Sequence, residues 1–186
     1  TRQELDQLTH GENHQGIVAF ANRPKQYTEA DLPALLESIE NPFVLVLDGV
    51  QDPHNLGACF RSADAAGVNL MIAPKDNAAG ITPIVSKVAC GATEHVPFVV
   101  VTNLARSLEA LKKAGLWLYG ADAEGETSLF AADLNGPVAI VMGAEGTGMR
   151  RLTREHCDVL LNIPMQGSVS SLNVSVATGI FLYEVV

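Results

Sequence analysis

Phe43-Val44-Leu45-Val46-Leu47 is an unbroken apolar run. It leads through Asp48-Gly49-Val50-Gln51-Asp52-Pro53-His54 into Asn55–Gly67, where Leu56, Cys59, Phe60 and Ala63 recur at helical spacing. A strand with no polar alternation is one buried on both faces, as in a parallel sheet. Gly67 then supplies the stop signal for the helix.

The same strand–helix rhythm continues outward. Leu70–Ala73 reads as a strand, Val85–Cys90 as a weak helix and Phe98–Val101 as a strand. Asn103 is placed to cap a helix that puts Leu104, Leu108 and Leu111 on one face. Leu116–Tyr119 and Val138–Met142 are further strands, Gly148–Cys157 a helix and Val159–Ile163 a strand. Ser171 is the expected cap of a last helix from Leu172 to Val186. About six strands alternating with helices define an α/β fold with a mainly parallel sheet flanked by helices.

The first 40 residues differ, with seven acids and three bases. Arg2–Leu8 is helix-like, Ile17–Ala21 reads as a lone strand ending at the Asn22-Arg23-Pro24 turn, and Leu32–Ile39 as a short helix. A boundary is expected near residues 22–30. The chain opens at Thr1 without a methionine, which suggests a fragment of a longer protein.

The composition of the 186 residues narrows the function classes. Charged residues make up 18% against a typical figure of about 25%, so the chain has either a lean core or a face covered by a second copy. A net charge of −9 argues against indiscriminate nucleic-acid binding. The basic residues that cluster, Lys112 with Lys113 and Arg150, Arg151 and Arg154, together with Arg106, are either phosphate contacts or solvated helix faces. Cys59, Cys90 and Cys157 are scattered without a CxxC pair and read as buried thiols in a reducing cytoplasm. The five histidines show no metal-site spacing, so no metal is expected. No apolar run approaches the roughly 18 residues of a membrane span.

Three loops at strand ends carry unusual chemistry, in the place where open α/β sheets bind ligands. The first holds Asn55 and, two turns into its helix, Arg61, which is either a surface arginine paired with Asp64 or a group that a substrate approaches. The second, Gly143-Ala144-Glu145-Gly146-Thr147-Gly148, is either a plain glycine turn or a loop admitting a ligand to the backbone. Its spacing fits neither the dinucleotide fingerprint nor the phosphate loop, and Glu145 suits a cationic or hydroxyl-bearing ligand better than a phosphate. The third, Ile163–Asn173, presents Ser168, Ser170, Ser171 and Asn173, more hydroxyls and amides than one cap requires. With no GxSxG and no histidine nearby, a serine nucleophile is disfavoured.

Taken together, Asn55 with Arg61, Gly143-Ala144-Glu145-Gly146, and Ser171 with Asn173 resemble the three motifs of the SpoU (TrmH-like) class of SPOUT RNA 2′-O-methyltransferases, over roughly residues 42–186. The resemblance implies a SPOUT-type α/β fold with a C-terminal trefoil knot, threaded from the loops around residues 118–122, 142–146 and 163–173. It implies S-adenosylmethionine as cofactor, with Gly143, Ile163 and Leu172 lining its pocket and Gly120 and Met165 close by. It implies catalytic roles for Arg61, Asn55, Glu145, Ser171 and Asn173, and a homodimer joined beside the last helix at the apolar Ile180, Phe181, Leu182 and Tyr183. Within that class the resemblance implies a guanosine in 23S rRNA as the substrate, with a tRNA ribose as the alternative. Residues 1–25 resemble the remnant of a small RNA-binding domain, and residues 26–186 the catalytic domain. On this reading the chain binds cofactor well and methylates rRNA poorly. The rival classes are a nicotinamide-dependent oxidoreductase, opposed by the missing fingerprint, and a non-catalytic ribosome-assembly factor.

Overall fold

The computed structural model describes residues 1–11, 13–18, 20 and 25–186. Among the described residues the strands are β1 (Gln26–Thr28), β2 (Phe43–Asp48), β3 (Leu70–Pro74), β4 (Phe98–Val101), β5 (Trp117–Ala121), β6 (Thr127–Ser128), β7 (Val138–Gly143) and β8 (Val159–Asn162). They form one sheet in the order β1-β4-β3-β2-β7-β5-β8-β6, every pairing parallel. The helices are α1 (Arg2–Leu8), α2 (Leu32–Glu37), α3 (Pro53–Ala65), α4 (Pro83–Ala89), α5 (Leu104–Lys113), α6 (Arg151–His156) and α7 (Val174–Val185).

β2 is buried along its whole length and its side chains divide by parity. Phe43, Leu45 and Leu47 join α3, α4 and α7 in one core, with Phe60 set edge-on to Phe98 at 5.2 Å. Val44 and Val46 join α2 and α5 in the other, through Leu32, Leu36, Leu104, Leu108 and Leu111. Each such aliphatic or aromatic side chain contributes about 1.5–3 kcal/mol on burial, which favours a sheet covered on both sides.

β7 pairs with β2 from Phe43↔Val138 to Asp48↔Gly143. The chain leaves β2 towards α3 on the first face. It leaves β7 towards α6, whose flanking Met149 and Cys157 pack into the core of the second. Two neighbouring strands sending their loops to opposite faces open a crevice at their carboxyl ends. That crevice is where the site lies.

The structure adjusts several boundaries. β1 and β6 join the expected six strands as short edge strands, three and two residues long, with no apolar run to announce them. The helix expected from Gly148 begins at Arg151, because Gly148, at φ +69°, is still closing the preceding loop. The last helix begins at Val174 and its cap is Asn173, whose side chain accepts from Ser175 N–H, so Ser171 is not the cap. Ile17 and Val18 are in no strand; Ala19, Ala21 and the Asn22-Arg23-Pro24 turn lie outside the described residues. Phe181 and Leu182 are interior, at 2% and 0% exposure, and Ile180 is half-buried against the same core, leaving Val176 and Tyr183 as the outward apolar residues of α7.

Candidate active site

The site begins with how α3 starts. Asp52 takes the N-cap position, accepting from His54 N–H at 3.0 Å, and Pro53 opens the first turn. Capping is therefore done by another residue, and Asn55 is free for a longer-range task. Its Nδ2–H donates to Glu145 Oε2 at 3.2 Å, and its Oδ1 accepts from Asn173 Nδ2 at 3.0 Å. Asn173 is itself oriented, since its Oδ1 accepts from both the N–H and the hydroxyl of Ser175. The result is a directed chain, Ser175 to Asn173 to Asn55 to Glu145, linking all three loops. Asn55, only 8% exposed, is the buried centre of it.

The glycine loop has a conformation of its own. Ala144 and Gly148 exchange backbone hydrogen bonds at 3.0 and 2.9 Å, and Gly146 and Gly148 take positive φ. A Cβ on Gly143 would collide with the backbone of Gly148 and Met149, so this glycine is required by the loop's own fold-back.

Beside this loop is a cleft of about 900 Å³. Met142, Leu161, Ile163, Leu172 and Phe181 give it an apolar wall; Glu145, Asp122, Glu124 and Arg154 give it a charged rim. Four of the five expected cofactor residues, Gly143, Ile163, Met165 and Leu172, line it, as does Ser171. Gly120 stops one residue short: a Cβ there would press on Cys157, Met149 and Leu160, so packing accounts for it. Three acids against one arginine leave the rim net negative, suited to a cationic ligand.

Arg61 stands apart. It is six residues beyond Asn55, about 240° further around the helix, and exposed. Its Nη1 points at Cys90 Sγ, 3.7 Å away, and it pairs with neither Asp64 nor the Asn55–Glu145 chain. Cys90, expected to be buried, is exposed at the left-handed end of α4. Cys59 is buried and Cys157 half-buried, and burial pushes Cys59 up to about 11 and Cys157 up to about 12, so both stay protonated and inert.

Most of the candidate phosphate contacts are committed within the chain. Arg106 binds Glu29, Lys112 binds Asp158, Arg151 binds Glu155 and Arg154 binds Asp122. Arg150 holds Asp48, a buried carboxylate that the sequence reading did not single out. Its signal was an acid ending an otherwise apolar parallel strand. Among the described residues no group of three or more His, Cys, Asp or Glu is placed to hold a metal, and no helix is long and apolar enough to cross a membrane.

The profile of the SpoU rRNA methylase family matches residues 42–183, a span containing the whole cleft. The chain belongs to that family. Residues 1–27 match a second profile, RNA 2′-O ribose methyltransferase substrate binding. Among the relatives of this SpoU chain, the 23S rRNA (guanosine-2′-O-)-methyltransferase RlmB of Yersinia pestis is 61% identical over 186 residues, all of this chain and 76% of that protein. The SpoU methyltransferase AviRb from Streptomyces viridochromogenes, solved in complex with AdoMet, superposes with a TM-score of 0.73 at 32% identity, over 79% of this chain and 60% of that one. An AdoMet-bound rRNA methyltransferase from Sinorhizobium meliloti superposes with a TM-score of 0.83 at 26% identity, over 100% of this chain and 69% of that one.

Proposed function

We propose that this SpoU-family chain transfers a methyl group from S-adenosylmethionine to the ribose 2′-hydroxyl of a guanosine in 23S rRNA. The observation carrying the proposal is the Asn173–Asn55–Glu145 chain at the mouth of the cleft. It joins the three motif loops beside a cavity with an apolar wall and an acidic rim. The donor set fits the cofactor: the apolar side chains suit the face of an adenine, the loop backbone its edge, and the net negative rim a sulfonium. S-adenosylmethionine, when bound, supplies an electrophilic methyl group on that sulfonium.

The protein's own residues then have three tasks. Gly143, Ile163, Leu172 and Met165 form the floor that orients the ligand and excludes water. Asn55, Asn173 and Ser171 hold the Glu145 loop in register. Arg61 faces the ribose oxygen: a guanidinium remains protonated and is a poor base, so its work is to stabilise the developing alkoxide by charge and hydrogen bonding.

Arg61 reaches a cleft in a homodimer joined through α7. Val176 and Tyr183 are exposed apolar residues on that helix, and α7 lies along α3, with Gly179 close to Ser62 and Tyr183 Oη 3.5 Å from Ala65 O. Ser62 and Ala65 thus border α7, one and four residues along α3 from Arg61, which supports Arg61 serving the partner's cleft. A trefoil knot fits the strand order, in which β8 lies beyond β5 from β7 and the chain returns as α7 to pack on α3. We read residues 1–25 as part of an RNA-binding domain, residues 26–186 as the catalytic domain, and the cytoplasm as the site of action.

The test is methyl transfer from labelled S-adenosylmethionine to 23S rRNA, with tRNA as the competing substrate. Incorporation at a guanosine 2′-oxygen of 23S rRNA is expected, and incorporation into tRNA alone would overturn the substrate. Mixing Arg61→Ala and Gly143→Ala subunits tests the dimer: restored activity is expected, since one intact cleft then meets one intact arginine. A mixture as inactive as its parents would place Arg61 at its own subunit's cleft.

A further inference from the structure

Asp48 is the only fully buried charged residue among the described residues, at 1% exposure. It ends β2 in register with Gly143, the first residue of the glycine loop. Its carboxylate reaches the loop's other end: Oδ2 accepts from Arg150 N–H at 2.8 Å, and Oδ1 accepts from Arg150 Nε at 2.6 Å, with Nη2 also at 2.6 Å. A single residue therefore fixes both ends of the segment carrying Glu145, its backbone by sheet register and its side chain by a charge-assisted fork. Inside the segment, the Ala144–Gly148 exchange and the fold-back over Gly143 leave little freedom once the ends are set.

The geometry points to Asp48 as a positioning residue for the cofactor cleft, with Arg150 as its partner. Arg150 is then committed to the loop and is not a phosphate contact. This rests on the reading of the cleft as the S-adenosylmethionine site. Asp48 does not itself line the cleft; it acts through where it holds Gly143, which does, and Arg150. A buried carboxylate persists here because a backbone N–H and the guanidinium Nε–H donate to it and the guanidinium charge pairs with it, and removing either side leaves the other unmatched.

The experiment is calorimetric titration of the full chain with S-adenosylhomocysteine, alongside filter binding to 23S rRNA. Asp48→Asn and Arg150→Met are each expected to weaken S-adenosylhomocysteine binding by about ten- to a hundredfold. Binding to rRNA is expected to stay within about twofold, the range of an unaltered phosphate contact. In turnover, the KM for S-adenosylmethionine rises while kcat at saturating cofactor is nearly kept, a split that general loss of structure does not give. Arg151→Met, which removes an exposed neighbour paired only with Glu155, leaves cofactor binding unchanged. Should Asp48→Asn fail to fold, Arg150→Met decides, since it keeps the carboxylate and the backbone N–H that binds it.

Wild-type binding of S-adenosylhomocysteine with unaltered affinity in the folded variants overturns the positioning role alone. So does weakened rRNA binding in Arg150→Met, with a salt slope lower by about one. Failure of the wild type to bind S-adenosylhomocysteine sinks the cleft reading itself and this role with it.

Discussion

The glycine-loop side of the molecule and the outer face of α3 carry the same kinds of residue and use them in opposite ways. Around the loop, polar groups are paired inside the chain: Asn55 with Glu145 and Asn173, Asp48 with Arg150, Asp122 with Arg154. On α3, Arg61 is exposed, and its side-chain contact among the described residues is a sulfur 3.7 Å away. The first region is built to hold a shape without help. The second presents a cation with no ion pair among the described residues, as the proposed role of Arg61 at another molecule requires. In the homodimer proposed above, a site divided in this way would keep the cofactor pocket complete in one subunit and make chemistry wait for assembly and substrate.

Removing Arg61 should give the largest effect and break the comparison most sharply. Arg61→Ala is expected to lower methyl transfer by about 10²–10³, the cost of losing one stabiliser of a developing oxyanion, while cofactor affinity stays within twofold. Single-turnover kinetics and calorimetry check the two halves, and lost cofactor binding would show that the regions are not separate.

Gly143→Ala is next. The added Cβ meets the backbone of Gly148 and Met149, so the loop has to open, at a cost of roughly 1–3 kcal/mol in thermal unfolding. Cofactor affinity should fall with it. A variant that keeps full affinity would mean that the fold-back is irrelevant to the cleft.

The amide chain sharpens the picture at finer scale. Asn55→Ala and Glu145→Ala should each weaken cofactor binding, and the double variant should cost less than the sum by roughly 0.5–3 kcal/mol. Additive effects in that cycle would reduce the chain to two unrelated contacts.

Outside both regions, Arg106 beside Glu29 gives the smallest expected change. The guanidinium holds the Glu29 carboxyl below its usual range, so the folded state favours the ionised form. That stabilisation is fully present above the ordinary carboxylate value of about 4 and is lost as pH falls through the lowered one. Melting curves of wild type and Glu29→Gln should therefore differ slightly at neutral pH and converge in acid; a gap that widens in acid would refute the assignment. The effect is small because the pair is solvent-screened.

Most of the architecture was readable from local pattern. The apolar runs at Phe43–Leu47, Phe98–Val101 and Val138–Met142 became strands within a residue of their expected ends, since burial on both faces leaves no room for polar residues. β1 and β6 were invisible because two or three residues at a sheet edge carry no period. Of the site, Asn55, Glu145, Ser171, Asn173, Gly143, Ile163, Met165 and Leu172 gather at one cleft. Gly120 owes its identity to packing and Arg61 lies elsewhere. Phe181 and Leu182 show the limit of apolar pattern, which marks a helix as buried but does not tell its own core from a partner's face.

The amino-acid order by itself determined the parallel sheet and the chemistry of the three loops, because hydrophobic period and turn composition are local properties. Which polar groups meet was decided only in three dimensions. Asn55 lies 90 residues from Glu145 and 118 from Asn173, and Asp48 lies 102 from Arg150. These pairs exist because β7 inserts beside β2 and α7 returns over β7 and α3. Strand order is set by the packing of the whole core, so no single segment encodes it.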